Sequence, residues 1–265
     1  MLSNAIKHRL NTRTIGHSVL CLNETTSTND EARKLGTEGA SEGTVVLAKI
    51  QTAGRGRLGR KWFSPKGGVW MSIILRPSPD RIIQKITLLF GLSVAETLRK
   101  FYRIDAALKW PNDVIVNGKK ICGILTEGVF SGEVPLYVVV GIGLNANVDL
   151  EAMPKGLELE AVSIKALLQK EVSIIDLVRR LLRTLDADYE VFKGSDDKGL
   201  WDQYRRLCAT IGSEVRVEVG EYEIYEGYAE DISPEGGLIL RTGEGHNVTI
   251  LSGDSIHLGQ RPKHE

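Results

Sequence analysis

The chain has 265 residues, 42% of them hydrophobic and 26% charged, enough to bury a full core as one large domain or as a domain with an appendage. Lys plus Arg and Asp plus Glu both total 34, so the formal net charge is zero and the basic excess of a dedicated nucleic-acid binder is missing. No apolar run approaches the roughly 20 residues of a membrane span, and "MLSNAIKHRL" lacks the apolar stretch of a secretory signal, so the expectation is a cytoplasmic protein away from membranes.

Strands and helices alternate up to about residue 207. "SVLCL" (18–22) and "TVVLAKI" (44–50) are β-branched runs of strand length. Between them "STNDEARKLG" opens on small hydroxyl residues, carries acids in its first turn and ends in glycine, which is helix grammar. "GVWMSIILRP" (68–77) alternates until Pro77 stops it, and 81–102 reads as a long apolar helix in which Gly91 and Ser93 mark either close packing or a break. "KICGILTEGVF" (120–130) and "LYVVVGIGLN" (136–145) are further strands, and 174–192 is an amphipathic surface helix. From about residue 208 short alternating strands are broken by glycine turns at intervals of about ten residues, the pattern of a small antiparallel barrel, so a boundary is placed near 207. Cys21, Cys122 and Cys208 are odd in number and far apart, as suits reduced thiols, and no His or Cys spacing marks a metal site.

The stretch "AGRGRLGRKWFSPKGG" (53–68) contains a G-x-G-x-x-G string at Gly54 to Gly59. A dinucleotide turn must open a helix, whose N-terminus takes the pyrophosphate. Here Pro65 and two glycines stand where that helix belongs, and no G-K-[ST] closes a phosphate loop of the Walker kind. What remains is a glycine loop with Arg55, Arg57 and Arg60, ending in Trp62. Such a loop suits either close approach to carboxylate and phosphate oxygens or a solvated basic turn. Three like charges within six residues predict a loop that is mobile without ligand.

In "LKWPNDVIVNGKKICGIL" (108–125), Asn112 and Asp113 follow a Trp-Pro turn, either as turn caps or as site groups. Asn117-Gly118 is a hairpin signal, and Lys120 enters a buried strand where a solvated charge is out of place. Ser27, Thr28 and Asn29 are consecutive polar residues at a strand-to-helix junction, where a helix cap accounts for one of them. "GIGLNANV" (141–148) puts Asn145 at the end of an apolar strand.

These stretches, in this order, resemble the biotin protein ligases. The matches are Ser27-Thr28-Asn29, Gln51, Ala53 to Arg57 with Gly59 to Trp62, Lys109 to Asp113, Lys120 with Gly123 to Leu125, and Gly141 to Asn145. The resemblance implies an α+β, class II synthetase-like catalytic domain (1–207), its mixed sheet flanked by helices, and a C-terminal SH3-like β-barrel (208–265). It also implies ATP-dependent formation of biotinyl-5′-AMP, with Mg2+, and transfer to a lysine of a biotin carboxyl carrier protein, by an enzyme expected to be a homodimer. No Ser/His/Asp arrangement is needed, because the substrate's own carboxylate is the nucleophile.

By the same resemblance Arg57, Lys120 and Asp113 are the catalytic set, Asp113 for magnesium or the incoming lysine. Ser27, Thr28, Asn29 and Gln51 would hold the ureido ring, with Arg55 and Gly56 in the loop over biotin and Arg57 and Lys120 at its carboxylate. Arg57, Arg60, Trp62, Asn112, Lys120 and Asn145 would hold ATP, and no protein-only metal site is expected. Many members carry about 60 further N-terminal residues that bind DNA; only 26 precede Ser27 here, so a ligase without DNA binding is expected. The rival readings are a lipoate or octanoate ligase of the same fold and a biotin-responsive DNA-binding regulator.

Overall fold

The apolar runs become a mixed seven-stranded sheet in the computed structural model, which describes residues 2–78, 83–132, 134–152, 161–194, 196–220, 223–243 and 245–259. Residues 81 and 82 of the expected long helix, and 260–265 of the expected barrel domain, lie outside them. The sheet contains β1 (Val19–Thr25), β2 (Val45–Gln51), β3 (Val69–Leu75), β4 (Ala107–Lys109), β5 (Asp113–Val116), β6 (Lys119–Ser131) and β7 (Val134–Leu144). Its order is β1-β2-β3-β7-β6-β5-β4, with β1 and β2 parallel and every other pair antiparallel. The β5–β6 hairpin turns on Asn117 and Gly118, both at positive φ (51° and 75°), as the Asn-Gly pair predicts.

Strand side chains alternate between faces, and the alternation here divides labour. In β3, β6 and β7 the residues Met71, Ile73, Cys122, Ile124, Val138, Val140, Ile142 and Leu144 belong to one large apolar core. On that side lie the helices α3 (Ile83–Tyr102), α5 (Ile174–Lys193) and α6 (Lys198–Leu207), and against α5 the short α1 (Leu2–Lys7). The other face carries α2 (Thr28–Thr37) over a small cluster of Ala32, Val46, Ile74, Tyr137 and Val139. The intervening positions on that face are Ser72, Gly141, Gly143, Gly123, Leu125 and Glu127, of which Gly123, Leu125, Gly141 and Gly143 line the site. A short α4 (Ile164–Leu168), capped by Ser163, was not legible as a helix, nor was α1: neither is long enough to show a period.

Gly91 and Ser93 do not break α3, which runs unbroken. Ser93 Oγ lies 3.1 Å from Leu89 O and 2.6 Å from Asp188 on α5, its one proton shared between them, so close packing is the right alternative. Burial raises the Asp188 carboxyl from 3.8 to about 6, nearby Glu96 adding to the rise and the Ser93 hydrogen bond opposing it. The folded value exceeds the unfolded one, so ionisation weakens the fold increasingly as pH rises from about 4 to about 6. Asp188→Asn is expected to be more stable than the native protein by roughly 2 kcal/mol near neutral pH, an advantage that vanishes near pH 4. Urea midpoints at the two pH values check this.

Past α6 the chain forms β8 (Glu214–Val219), β9 (Glu223–Ile232), β10 (Leu238–Thr242), β11 (Asn247–Ile250) and β12 (Asp254–Gly259), an antiparallel sheet of order β11-β10-β9-β8-β12. Among the described residues its edges β11 and β12 do not pair, so the small barrel is open along that seam. It is not a separate bead. Val215, Val217, Leu238 and Leu240 join the same core as Trp110, Tyr204 and Cys208. Trp110 is tied to the small sheet three times: its N–H meets Thr210 Oγ1 at 3.0 Å, its indole N–H meets Gly236 O at 3.1 Å, and Ser255 Oγ donates to its carbonyl.

Candidate active site

Under α2 the sheet face opens into a cavity of about 300 Å³, at the small end of pockets that hold small molecules. Every residue singled out from the sequence lines it: Ser27, Thr28, Asn29 and Gln51 at one part, Arg55, Gly56, Arg57, Arg60 and Trp62 from the glycine loop, and Asn112, Asp113, Lys120 and Asn145 from the strand ends.

The first part is a continuous polar network. Ser27 is the N-cap of α2 by position, yet its side chain makes no capping bond, so the hydroxyl lines the cavity instead. The Thr28 N–H and hydroxyl both donate to Gln51 Oε1, at 2.8 and 3.0 Å, and Gln51 Nε2 donates to Ser64 Oγ at 2.8 Å. Ser72 Oγ lies 2.7 Å from Thr28 Oγ1 and 2.6 Å from Asn29 Oδ1, its single proton shared between them. Asn29 Nδ2 donates to Glu127 Oε2 at 2.6 Å. Asn29 fits because Gly141 lies beneath it: a Cβ there would sit 2.4 Å from Asn29 Oδ1. Donors and acceptors thus alternate around a buried pocket end, an arrangement that suits a compact neutral group carrying both N–H and C=O.

The glycine loop is an antiparallel turn closed on itself, not a strand-to-helix turn. Gln51 bridges to Ser64 and Arg55 to Lys61, Trp62 N–H donates to Gly54 O at 2.9 Å, and Gly56 N–H to Arg60 O at 2.7 Å. Leu58 sits exposed at its tip with φ of 53°.

The sequence leads one to expect arginines that repel one another; in the structure each arginine meets a carboxylate. Arg55 forks onto Asp30 at 2.8 and 2.6 Å, and Glu127 is 3.7 Å away. That hydrogen-bonded pair lowers the Asp30 carboxyl and raises the Arg55 guanidinium. Arg57 donates to Gly253 O at 2.9 Å and Asn112 Oδ1 at 3.3 Å and stands 3.6 Å from Asp254, to which Arg60 is also paired. Burial lowers Arg57 from its ordinary value, while Asp254 and Asp113 oppose the fall and Arg60 adds to it.

Lys120 faces Asp113 at 2.6 Å and stands 5.1 Å over the Trp62 ring. The indole lies on paired glycines: Gly123 and Gly143 are opposite each other in the β6–β7 ladder, and a Cβ on Gly143 would come within 2.5 Å of Trp62 Nε1. Asn112 is therefore more than a turn cap: its Oδ1 accepts from Arg57 while its Nδ2 donates to Ile124 O at 3.0 Å. Asn145 is 1% exposed and its Nδ2 donates to Val162 O at 3.2 Å, while its Oδ1 has no protein partner, leaving a buried acceptor at the cavity.

Sequence reasoning missed Ser72, Glu127 and Asp254. A signal for Ser72 existed: it is the one polar residue in "VWMSIIL" and is fully buried. Asp254 comes from the small sheet, in which the sequence reading assigns no site residue.

Two family models match the chain: the biotin/lipoate A/B protein ligase family over residues 20–145 and the biotin protein ligase C-terminal domain over residues 210–258. The bifunctional ligase/repressor BirA of Bacillus subtilis is 35% identical over 259 residues, covering 96% of this chain and 78% of that protein. The biotin–acetyl-CoA-carboxylase ligase of Mycobacterium tuberculosis is 34% identical over 242 residues, covering 89% of this chain and 87% of that protein. Among solved structures, the biotin protein ligase of Aquifex aeolicus in complex with biotin and ATP superposes with a TM-score of 0.79 at 32% identity, covering 91% of this chain and 98% of that one. Likeness over nearly the whole chain, in both the large sheet and the small one, is what shared descent requires, and the chain belongs to the biotin protein ligase family.

Proposed function

We propose that this protein joins biotin to ATP, giving biotinyl-5′-AMP and pyrophosphate, and then passes the biotinyl group to a lysine of a biotin carboxyl carrier protein. In the first step a carboxylate oxygen of biotin attacks the α-phosphorus and the bond to pyrophosphate breaks. In the second the lysine amine attacks the acyl carbon and AMP leaves. One observation carries the reading: a single cavity has a hydrogen-bonded amide and hydroxyl network at one part and Arg57 and Lys120 at another. A ureido ring needs the first, and a carboxylate meeting a polyphosphate needs the second. The Aquifex aeolicus relative binds both biotin and ATP.

In this reading Ser27, Thr28, Asn29 and Gln51 hold the ureido ring, with Arg55 and Gly56 at the loop's base. Arg57 and Lys120 hold the carboxylate and α-phosphate, Arg60 and Asn112 support the phosphates, Trp62 packs on the adenine, and Asn145 Oδ1 receives a nucleotide donor. Mg2+ would arrive with the nucleotide, where it neutralises phosphate charge. No cluster of three or more His, Cys, Asp or Glu exists among the described residues, and Mg2+ commonly rests on phosphates with one or two carboxylates. Asp113 is the carboxylate beside Lys120 that would serve, or that would receive the acceptor lysine. A homodimer, which light scattering would read, and a cytoplasmic location belong to the same proposal.

ATP–pyrophosphate exchange with biotin, lipoate and octanoate offered separately tests the assignment. Exchange supported by biotin alone is expected. Exchange with lipoate or octanoate and not with biotin overturns it, since an aliphatic tail leaves the Thr28, Asn29 and Gln51 groups without work.

A further inference from the structure

Asp254 opens β12, is four-fifths buried, and lines the cavity from the small sheet. Its carboxylate stands between two guanidinium groups of the glycine loop, 3.6 Å from Arg57 Nη1 by one oxygen and paired to Arg60 by the other. The residues before it hold the same arginine: Gly253 O accepts from Arg57 Nη1 at 2.9 Å, and Ser252 Oγ lies 3.4 Å from Nη2. Two cations three residues apart repel each other, and one anion between them removes the repulsion while leaving the pair net positive.

The turn itself has little freedom. A Cβ on Gly253 would meet Val217 Cγ1 at 2.6 Å and Glu218 O at 3.0 Å, and Asp254 is in register with Glu218 in the β8–β12 ladder. Ser255, pointing to the opposite face, donates to Trp110 O. Trp110 begins the segment that carries Asn112 and Asp113, so the arginine loop and the strand-end residues share one support.

We propose that Asp254 is a positioning residue for biotin activation: it holds Arg57 and Arg60 at the mouth of the cavity before the nucleotide arrives, so that the charge is already aimed when the phosphates enter. This rests on the ligase reading above. Preorganised charge acts without reorganisation during the reaction, and a loop that must be gathered from an ensemble binds more weakly by the fraction of time it is competent.

The test uses the full chain with Asp254→Asn, which keeps the volume, Asp254→Ala, and the conservative Asp254→Glu. In ATP–pyrophosphate exchange with biotin, Asn and Ala are expected to raise the KM for ATP about tenfold or more with a smaller fall in kcat, and Glu to recover most of the loss. Without ligand, trypsin should cut the Asn and Ala variants after Arg57 or Arg60 several-fold faster than the native protein, with the thermal midpoint little changed. Native KM and native cleavage rate in the Asn and Ala variants overturn the proposal. So does a common fall in thermal midpoint with no KM shift, which marks a purely structural residue. If the native protein itself fails to exchange with biotin, the ligase reading fails instead, and the ligand-free cleavage rates still judge Asp254.

Discussion

Arg57→Ala and Lys120→Ala should each slow formation of biotinyl-5′-AMP by two to three orders of magnitude under saturating substrates. Loss of one preorganised charge at a developing anionic centre costs on the order of 3 to 4 kcal/mol, and the two residues approach the cavity from different elements, the glycine loop and the start of β6. Neither change enlarges the core, because both side chains lie on the cavity side of the sheet, so near-ultraviolet circular dichroism should stay native. Lys120→Ala has a second effect, since it strips Asp113 of the ammonium at 2.6 Å. Combining it with Asp113→Asn separates the lost cation from the orphaned anion. Single-turnover formation of the adenylate is the measurement, and a near-native rate in either single variant would remove that residue from the catalytic set.

The second large effect is on folding. A chain ending at Ala209 is expected to lose its cooperative fold, and with it both half-reactions. Trp110 is 1% exposed and Tyr204 2%, and residues beyond 209 supply every hydrogen bond named above for Trp110. Uncovering two large aromatic side chains costs about 2 to 3 kcal/mol each, and three hydrogen bonds add about 1 kcal/mol each. The sum is comparable with the roughly 5 to 15 kcal/mol that holds a whole domain. The truncated protein should therefore show no sharp urea transition and should bind a hydrophobic dye. A soluble fragment that unfolds cooperatively and makes adenylate at the native rate would show that the small sheet is dispensable, contrary to the continuity of the core.

Much of this molecule was legible in the linear chain because its signals are local. The apolar runs "VWMSIIL" and "LYVVVGIGL", the Asn117-Gly118 turn and the hydroxyl start of α2 each act over a few residues, and each produced the expected element. The site residues were legible for a related reason: Asn112, Asp113 and Lys120, or Ser27, Thr28 and Asn29, are uneconomical as core or as solvated surface and stand at element ends. What could not be read were partners fixed by the fold. Arg57 and Gly253 are 196 positions apart, and Asn29 and Glu127 are 98. A carboxylate that neutralises an arginine from that distance leaves no mark near it, so the loop's charge was overcounted and Asp254 went unnoticed in an ordinary edge strand.

The alternation of β3, β6 and β7 has an evolutionary meaning. Neighbouring residues on one strand answer to different selective pressures: Cys122 and Val140 are constrained by the hydrophobic interior, whereas Gly123 and Leu125 are constrained by whatever occupies the cavity. Side chains on opposite sides of a sheet do not touch, and changes without shared partners combine nearly additively. A lineage can therefore change a cavity-facing side chain such as Leu125 to suit a different acyl group while the interior packing stays in place, which makes this sheet a favourable starting scaffold for directed changes of substrate.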